Sequence, residues 1–195
     1  MHKACGQRLL EAYHETNAWL VERGVLPEVD LRPFIRRAEA LYALACQIGD
    51  SAGALGMAGS LYWGPVIYDT AIDTFDLVAA TDKPGKNGQY LKATYGNFGQ
   101  FYAVSMAESK LVTAAADSFR VFLVTKDLGL PLAMAVQAEH PDACALVLKA
   151  IASGQVSRAD CVAISDALHP SLLHPDSEEA RLLTDFLQGA NTDDP

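Results

Sequence analysis

Long apolar runs and paired cysteines are what this sequence lacks. Its apolar stretches are of the kind found at residues 40–46, far below the roughly 18 consecutive apolar residues that a membrane-spanning helix needs. The N-terminal residues do not show the apolar core of a signal peptide. No C-x-x-C or C-x-x-H pair occurs among the four cysteines, Cys5, Cys46, Cys144 and Cys161, which excludes a zinc knuckle or a thioredoxin-type site. We therefore expect a cytoplasmic protein with no membrane segment, no metal and no cofactor.

Positive charge is also scarce, particularly towards the C-terminus. The chain has 15 lysines and arginines against 24 aspartates and glutamates, which gives a formal net charge of −9. Residues 160–195 hold eight acidic residues and one basic residue, Arg181. Because such a surface repels a phosphate backbone, direct nucleic-acid binding is not expected. The same charge would attract another protein that has a basic surface.

Half of the 195 residues are apolar, which is enough to bury a core without disulfide bonds, so we expect one domain or two small ones. Apolar residues recur at helical spacing over residues 4–23 and 34–48. The glycine-rich segment 49–64 suits a helix packed closely against its neighbours. A further amphipathic helix is predicted over residues 66–80.

A turn rich in glycine and lysine at residues 82–88 is the strongest break in the pattern. It predicts a boundary between an N-terminal helical part, residues 1–82, and a C-terminal part of helical hairpins, residues 89–195. The two parts could still form one continuous domain.

The C-terminal part is predicted to consist mainly of short helices. After a broken helix over residues 89–116, the β-branched and aromatic residues of segment 118–125 suit a strand equally well, and we predict a helix there. Four short helical runs follow, at residues 131–138, 142–153, 158–168 and 177–188. These patterns predict an all-α fold, either stacked helical hairpins in a repeat-like solenoid or an irregular helical bundle.

One tripeptide occurs twice, as His140-Pro141-Asp142 and, 34 residues later, as His174-Pro175-Asp176. Each copy precedes a helical run. Proline suits the first position of a helix, and an acidic residue beside it is favoured by the positive end of the helix dipole. A period in the thirties is typical of stacked helical repeats, in which one hairpin cannot bury its own apolar face.

Around the first copy, residues 127–191 resemble the ankyrin repeat family. The matching positions, in the family's order and spacing, are Pro131-Leu132, Ala135, His140 and Leu146-Val147-Leu148. Leu130, Ala133 and Glu139 stand where the family usually has Thr, His and Gly, and the second copy matches less well. The resemblance implies stacked hairpins that recognise another protein through turn tips and a concave helical face.

A weaker similarity, to Sel1 and tetratricopeptide repeats, covers residues 49–101. It is carried by small and aromatic residues, among them Leu61-Tyr62, Gly64, Phe75 and Tyr95. This similarity also implies helical hairpins.

The densest aromatic group, with acidic residues beside it, is the candidate binding site. Tyr62, Trp63 and Tyr68 would anchor a protein interface if they are exposed, whereas buried they would pack against the glycine-rich segment. Asp69 and Asp73 fall on one stripe of the predicted helix at 66–80. This stripe is either a solvent-exposed face of the helix or a cluster of carboxylates with a functional role.

No catalytic residue is assigned, because neither a G-x-S-x-G elbow nor the spacing of a phosphate-binding loop is present. We predict a non-catalytic protein-binding module that uses an acidic helical surface, such as a regulator, an assembly chaperone or a neutralising partner. The alternative is a helical-bundle enzyme or small-ligand-binding protein with a pocket near residues 53–76.

Overall fold

The computed structural model describes residues 31–49, 60–81, 96, 103–115, 118–169 and 172–189. These residues form eight helices: α1 (Leu31–Gly49), α2 (Ser60–Tyr68), α3 (Leu77–Thr81), α4 (Ala103–Glu108), α5 (Gly129–Glu139), α6 (Pro141–Ser153), α7 (Arg158–Leu168) and α8 (Glu178–Gly189). They also form four short strands: β1 (Thr74–Asp76), β2 (Val112–Ala115), β3 (Ser118–Val124) and β4 (Gln155–Ser157). The predominance of helix confirms the predicted all-α class.

The chain divides into two compact units that are not consecutive in sequence. The first unit comprises Met1–Val29, Tyr102–Pro141 and Pro170–Pro195, and the second comprises Asp30–Phe101 and Asp142–His169. Each unit thus combines segments from both sides of residues 82–88. That turn, where the sequence predicts a boundary, lies outside the described residues, as does the helix predicted at 4–23.

The second unit packs around α1, which contacts α2, α3 and α7. Apolar residues three and four positions apart give this helix one buried face, on which Leu41 and Leu44 are 1% and 0% exposed. Burying a leucine side chain stabilises a fold by about 1.5–3 kcal/mol. At the end of α1, a Cβ on Gly49 would lie 2.8 Å from the Cβ of Ser165 in α7, so glycine permits the close approach of the two helices.

The prediction of one continuous helix over residues 66–80 is wrong. Helix α2 ends at Tyr68, residues 69–73 form a turn, and β1 and α3 follow. The carboxylate of Asp69 accepts a hydrogen bond from the backbone N–H of Ala71 (3.0 Å), and its carbonyl oxygen accepts one from Ile72 (3.1 Å). This local turn competes with the helix for backbone partners. Asp76 then begins α3 by accepting from the N–H of Ala79 (2.9 Å).

Strand β1 pairs with β4 in antiparallel register, with Phe75 opposite Val156 and Thr74 opposite Ser157. Phe75 and Val156 are both buried, at 1% and 3% exposed. Because Ser157 is the last residue of β4, this register places the first residue of α7 beside the end of the 69–73 turn. The pairing therefore joins two segments that are about 80 residues apart in sequence.

In the first unit, residues 118–124 form strand β3, so the prediction of a helix in this segment is wrong. β3 pairs antiparallel with β2, with Val112 opposite Val124 and an irregularity between Ala114 and Ala115. The β-branched and aromatic residues of this segment favour a strand once a partner is available. The partner, β2, lies where the sequence predicts the end of a helix over residues 89–116.

The turn between α4 and β2 contains Lys110, whose φ of 53° lies in the left-handed region. This conformation costs a residue with a side chain roughly 1–2 kcal/mol, and glycine avoids that cost. We expect Lys110→Gly to raise the free energy of unfolding of the first unit by about 0.5–1 kcal/mol, after the entropic cost of glycine is subtracted. Lys110→Ala keeps the unfavourable φ and should give no gain in urea denaturation followed by circular dichroism. An equal gain from both variants would contradict this explanation.

The four short helices predicted in the C-terminal part are confirmed as α5, α6, α7 and α8. The two copies of the repeated tripeptide begin them differently. Pro141 is the first residue of α6, whereas α8 begins at Glu178, three residues after Pro175. Ser177 takes the capping position there, because its hydroxyl accepts a hydrogen bond from the N–H of Ala180 (3.0 Å). The stacking of these helices as repeats stays a prediction.

Candidate functional site

The predicted site residues lie in and around one segment, residues 67–73. It consists of the last two residues of α2 and the turn that leads to β1. We call it the Tyr68 loop. It belongs entirely to the second unit. The segment brings the five predicted residues together, but the burial of their side chains differs widely.

Trp63 lies in the core and is 2% exposed. Its ring meets the ring of Phe75 edge to face, with centroids 6.4 Å apart, and meets the ring of Tyr62 in the same way at 4.9 Å. Such edge-to-face pairs stabilise beyond the area they bury. Partial burial raises the pKa of Tyr62, and the negative charge of Asp76 raises it further. Trp63 is therefore a core residue of the second unit and not part of an exposed surface.

Tyr68, by contrast, is 86% exposed, and Asp69 and Asp73 beside it are exposed as well. Among the residues that the structure describes, the Tyr68 side chain has no hydrogen-bond partner and no ring contact. The Asp73 carboxylate has no hydrogen bond or ion pair within the same part of the chain. The loop thus presents one aromatic ring and a carboxylate that the fold does not use.

The backbone of the Tyr68 loop is held by Arg158, the first residue of α7. Its Nε and Nη2 donate to the carbonyl oxygen of Ile72 (3.1 and 2.9 Å), Nη2 also donates to that of Asp69 (3.0 Å), and Nη1 donates to that of Ile67 (3.2 Å). The backbone N–H of Arg158 donates to the carbonyl oxygen of Asp73 (2.7 Å). One residue therefore bonds four carbonyl groups along a segment of seven residues.

The guanidinium of Arg158 lies over the ring of Phe75, 5.1 Å from its centroid. Its carbonyl partner Ile67 lies in the last turn of α2, and Asp69 follows the helix directly, where the helix dipole favours a positive charge. Nothing in the sequence around Arg158 indicates that it belongs to the site. The cap formed by Ser157, which accepts from the N–H of Asp160 (3.0 Å), identifies Arg158 as the start of a helix but says nothing about the loop that it holds.

The acidic residues of α8, which the composition suggested as a binding surface, are partly engaged. Arg181 forms ion pairs with Glu178 and Asp185, and its hydrogen bond lowers the pKa of Glu178. Glu179 is buried at 2% exposed, and burial raises the pKa of this carboxyl group. Helix α8 therefore offers less available negative charge than its sequence indicates.

Within the described segments, no three His, Cys, Asp or Glu side chains are grouped so that they could hold a metal ion. Cys46, Cys144 and Cys161 are buried, and none of the three is in a disulfide bond within the described part of the chain. The side chains exposed on the Tyr68 loop include the phenol of Tyr68 and the carboxylates of Asp69 and Asp73.

None of the helices in the described part of the chain combines the length and the apolar character that crossing a membrane requires.

Comparisons of the chain with protein-family models, with curated proteins and with solved structures find no match. What the Tyr68 loop does is therefore inferred from its own geometry and charge.

Proposed function

We propose that this chain is a non-catalytic protein-binding module, a regulator, assembly chaperone or neutralising partner, that docks on a basic surface of another protein through the Tyr68 loop. The observation that carries the proposal is an 86% exposed tyrosine on a loop whose backbone is bonded at four carbonyl groups. Tyrosine is enriched among the residues that dominate binding energy at interfaces. A loop that is already ordered loses little conformational entropy when it binds.

The sign of the charge supports a basic partner. Asp69, Asp73 and Asp76 are all exposed, and the chain carries a net charge of −9. Complementary charge speeds the encounter of two proteins more than it tightens the complex, and salt screens this effect. The resemblance of residues 127–191 to ankyrin repeats, which recognise proteins, agrees with this function. We place the module in the cytoplasm as part of the same proposal.

The partner can be identified by site-specific photo-crosslinking. We would place p-benzoylphenylalanine at position 68, and as a matched control at Val162, which is 40% exposed on α7 of the same unit. A protein crosslinked in the native lysate from position 68, and not from position 162, is the expected result. Its yield should fall as salt is raised, because the docking surface is acidic. A metal or chromophore that co-purifies with the chain would instead favour the small-ligand alternative.

With the crosslinked partner in hand, we expect Tyr68→Ala to lower its affinity by about tenfold or more, as truncation of an interface tyrosine commonly does. The fold should be unaffected, because this side chain is 86% exposed and has no hydrogen bond or ring contact within the described residues. Asp73→Asn should lower the affinity less and flatten its salt dependence. Val162→Ala serves as the control in isothermal titration calorimetry. Full affinity in the Tyr68→Ala protein would refute the docking role of the loop.

A further inference from the structure

Arg158 reaches the Tyr68 loop because of the strand register described above. Ser157 pairs with Thr74, so α7 begins beside the residue at which the loop ends. The Ser157 cap and the bond from the Arg158 N–H to the carbonyl oxygen of Asp73 then fix the start of the helix. From this position the side chain extends along the loop towards α2.

The bonds that the side chain makes require a guanidinium group. Three carbonyl oxygens, of Ile67, Asp69 and Ile72, are met by donors that are fixed in one plane. A lysine ammonium would keep the positive charge near Phe75 and the end of α2, but it is a single point with three donors and cannot span the same three oxygens. The number of loop carbonyls that are held thus depends on arginine, while the local charge does not.

We propose that Arg158 is the positioning residue of the Tyr68 loop. Arg158 sets the affinity of this site for a basic partner because it orders the loop, and it does not touch the partner. The proposal rests on the proposed function of the loop. Without the guanidinium, residues 67–72 would lose four hydrogen bonds to three of their carbonyl groups, and binding would have to order this backbone. The β1–β4 pairing and the Arg158 N–H bond to Asp73 do not involve the side chain, so the fold itself should persist.

The first measurement is amide hydrogen exchange in the free protein. We expect Arg158→Lys to speed exchange about tenfold or more at the N–H groups of Ala71 and Ile72, which donate within the loop. Exchange at Leu77 and Val78, whose N–H groups donate to Gly154 outside the loop, should not change. Arg181→Lys, an exposed arginine on α8, is the matched control and should leave all four amides unchanged.

The second measurement is binding of an octa-arginine peptide, with 3-fluorotyrosine placed at position 68 as a ¹⁹F reporter. We expect the peptide to shift the fluorine resonance of the protein, and Arg158→Lys to weaken binding about tenfold, while Arg181→Lys leaves it as it was. The fluorine resonance of the free Arg158→Lys protein should also narrow, because the loop becomes more mobile.

The results separate the two proposals. If the unsubstituted protein does not bind the peptide, the proposed function fails, and the role of Arg158 fails with it, before any variant is compared. If binding is seen but Arg158→Lys leaves either the exchange rates or the affinity unchanged, the positioning role is overturned and the docking function stands.

Discussion

Replacing Gly154 with alanine is expected to lower the free energy of unfolding of the second unit by about 3 kcal/mol. Gly154 follows α6 with a φ of +74°, which costs an alanine roughly 1–2 kcal/mol. A Cβ at this position would also overlap the Cγ2 of Val78 in α3, and crowding in a packed interior costs about 1–3 kcal/mol. Both costs arise from the Cβ that alanine adds, and relieving the overlap by a movement of Val78 would leave the unfavourable φ in place.

The surroundings of Gly154 leave little room for adjustment. Its carbonyl oxygen accepts from the N–H groups of Leu77 (2.9 Å) and Val78 (3.3 Å), so it caps the start of α3. The guanidinium of Arg37 in α1, which donates to the carbonyl oxygen of Ile151 (3.1 Å), would lie 3.7 Å from the added Cβ. A shift of the backbone away from Val78 would therefore break the cap of one helix and disturb the contact of another.

Urea denaturation tests this expectation, with Trp63 as the fluorescent reporter in a Trp19→Phe background. Gly64→Ala is the matched control, because a Cβ on Gly64 meets nothing within 4 Å and the residue lies inside α2. That variant should gain up to about 1 kcal/mol from the helix propensity of alanine. If the two alanine variants have similar stability, the left-handed turn and its contact with Val78 do not have the importance assigned to them.

The helices that the sequence predicted well are those with local signals at their ends. Helix α6 begins at Pro141, α7 follows the Ser157 cap, and α1 ends at Gly49, and each signal acts within one turn of the chain. Local signals also explain the error at 66–80. Apolar spacing favoured one helix there, but α2 ends at Tyr68. The side chain and the carbonyl oxygen of Asp69 accept hydrogen bonds from the N–H groups of Ala71 and Ile72, which form a turn in place of the helix.

The candidate site could be predicted only in part. An aromatic and acidic segment was visible in the sequence, but Trp63 and Tyr68 are indistinguishable there as candidates for exposure. In the structure, Trp63 packs against Phe75, which belongs to the paired strand β1, whereas Tyr68 is exposed. Arg158 was missed because its bonds join residues 86 to 91 positions apart. Strand β3 likewise depends on a partner strand that a window of sequence does not show.

Alkaline pH is expected to destabilise the second unit through Cys161, by about 2 kcal/mol between pH 9 and pH 11. This thiol is 0% exposed, and burial, with a further effect from the Asp160 carboxylate, raises its pKa to about 12, against the opposing charge of Arg158. An exposed thiol in the unfolded chain ionises near pH 9. Below pH 9 both states hold the proton and the contribution is fully present. As the pH rises towards 12, the unfolded chain gives up the thiol proton while the folded chain keeps it, so the loss of stability approaches about 1.4 kcal/mol per pH unit midway between the two pKa values.

Cys161→Ala removes the titrating group, so the stability of this variant should fall less steeply over this pH range than that of the unsubstituted protein. At pH 7 the variant should be the less stable of the two. Ile164→Val is the matched control, because it trims a buried side chain on the same helix and keeps the thiol. It should be destabilised at every pH and retain the full alkaline slope, which urea denaturation at intervals of half a pH unit will measure. Parallel curves for the unsubstituted protein and Cys161→Ala would mean that the thiolate is tolerated in the folded state, and hence that water or a positive charge reaches Cys161 inside α7.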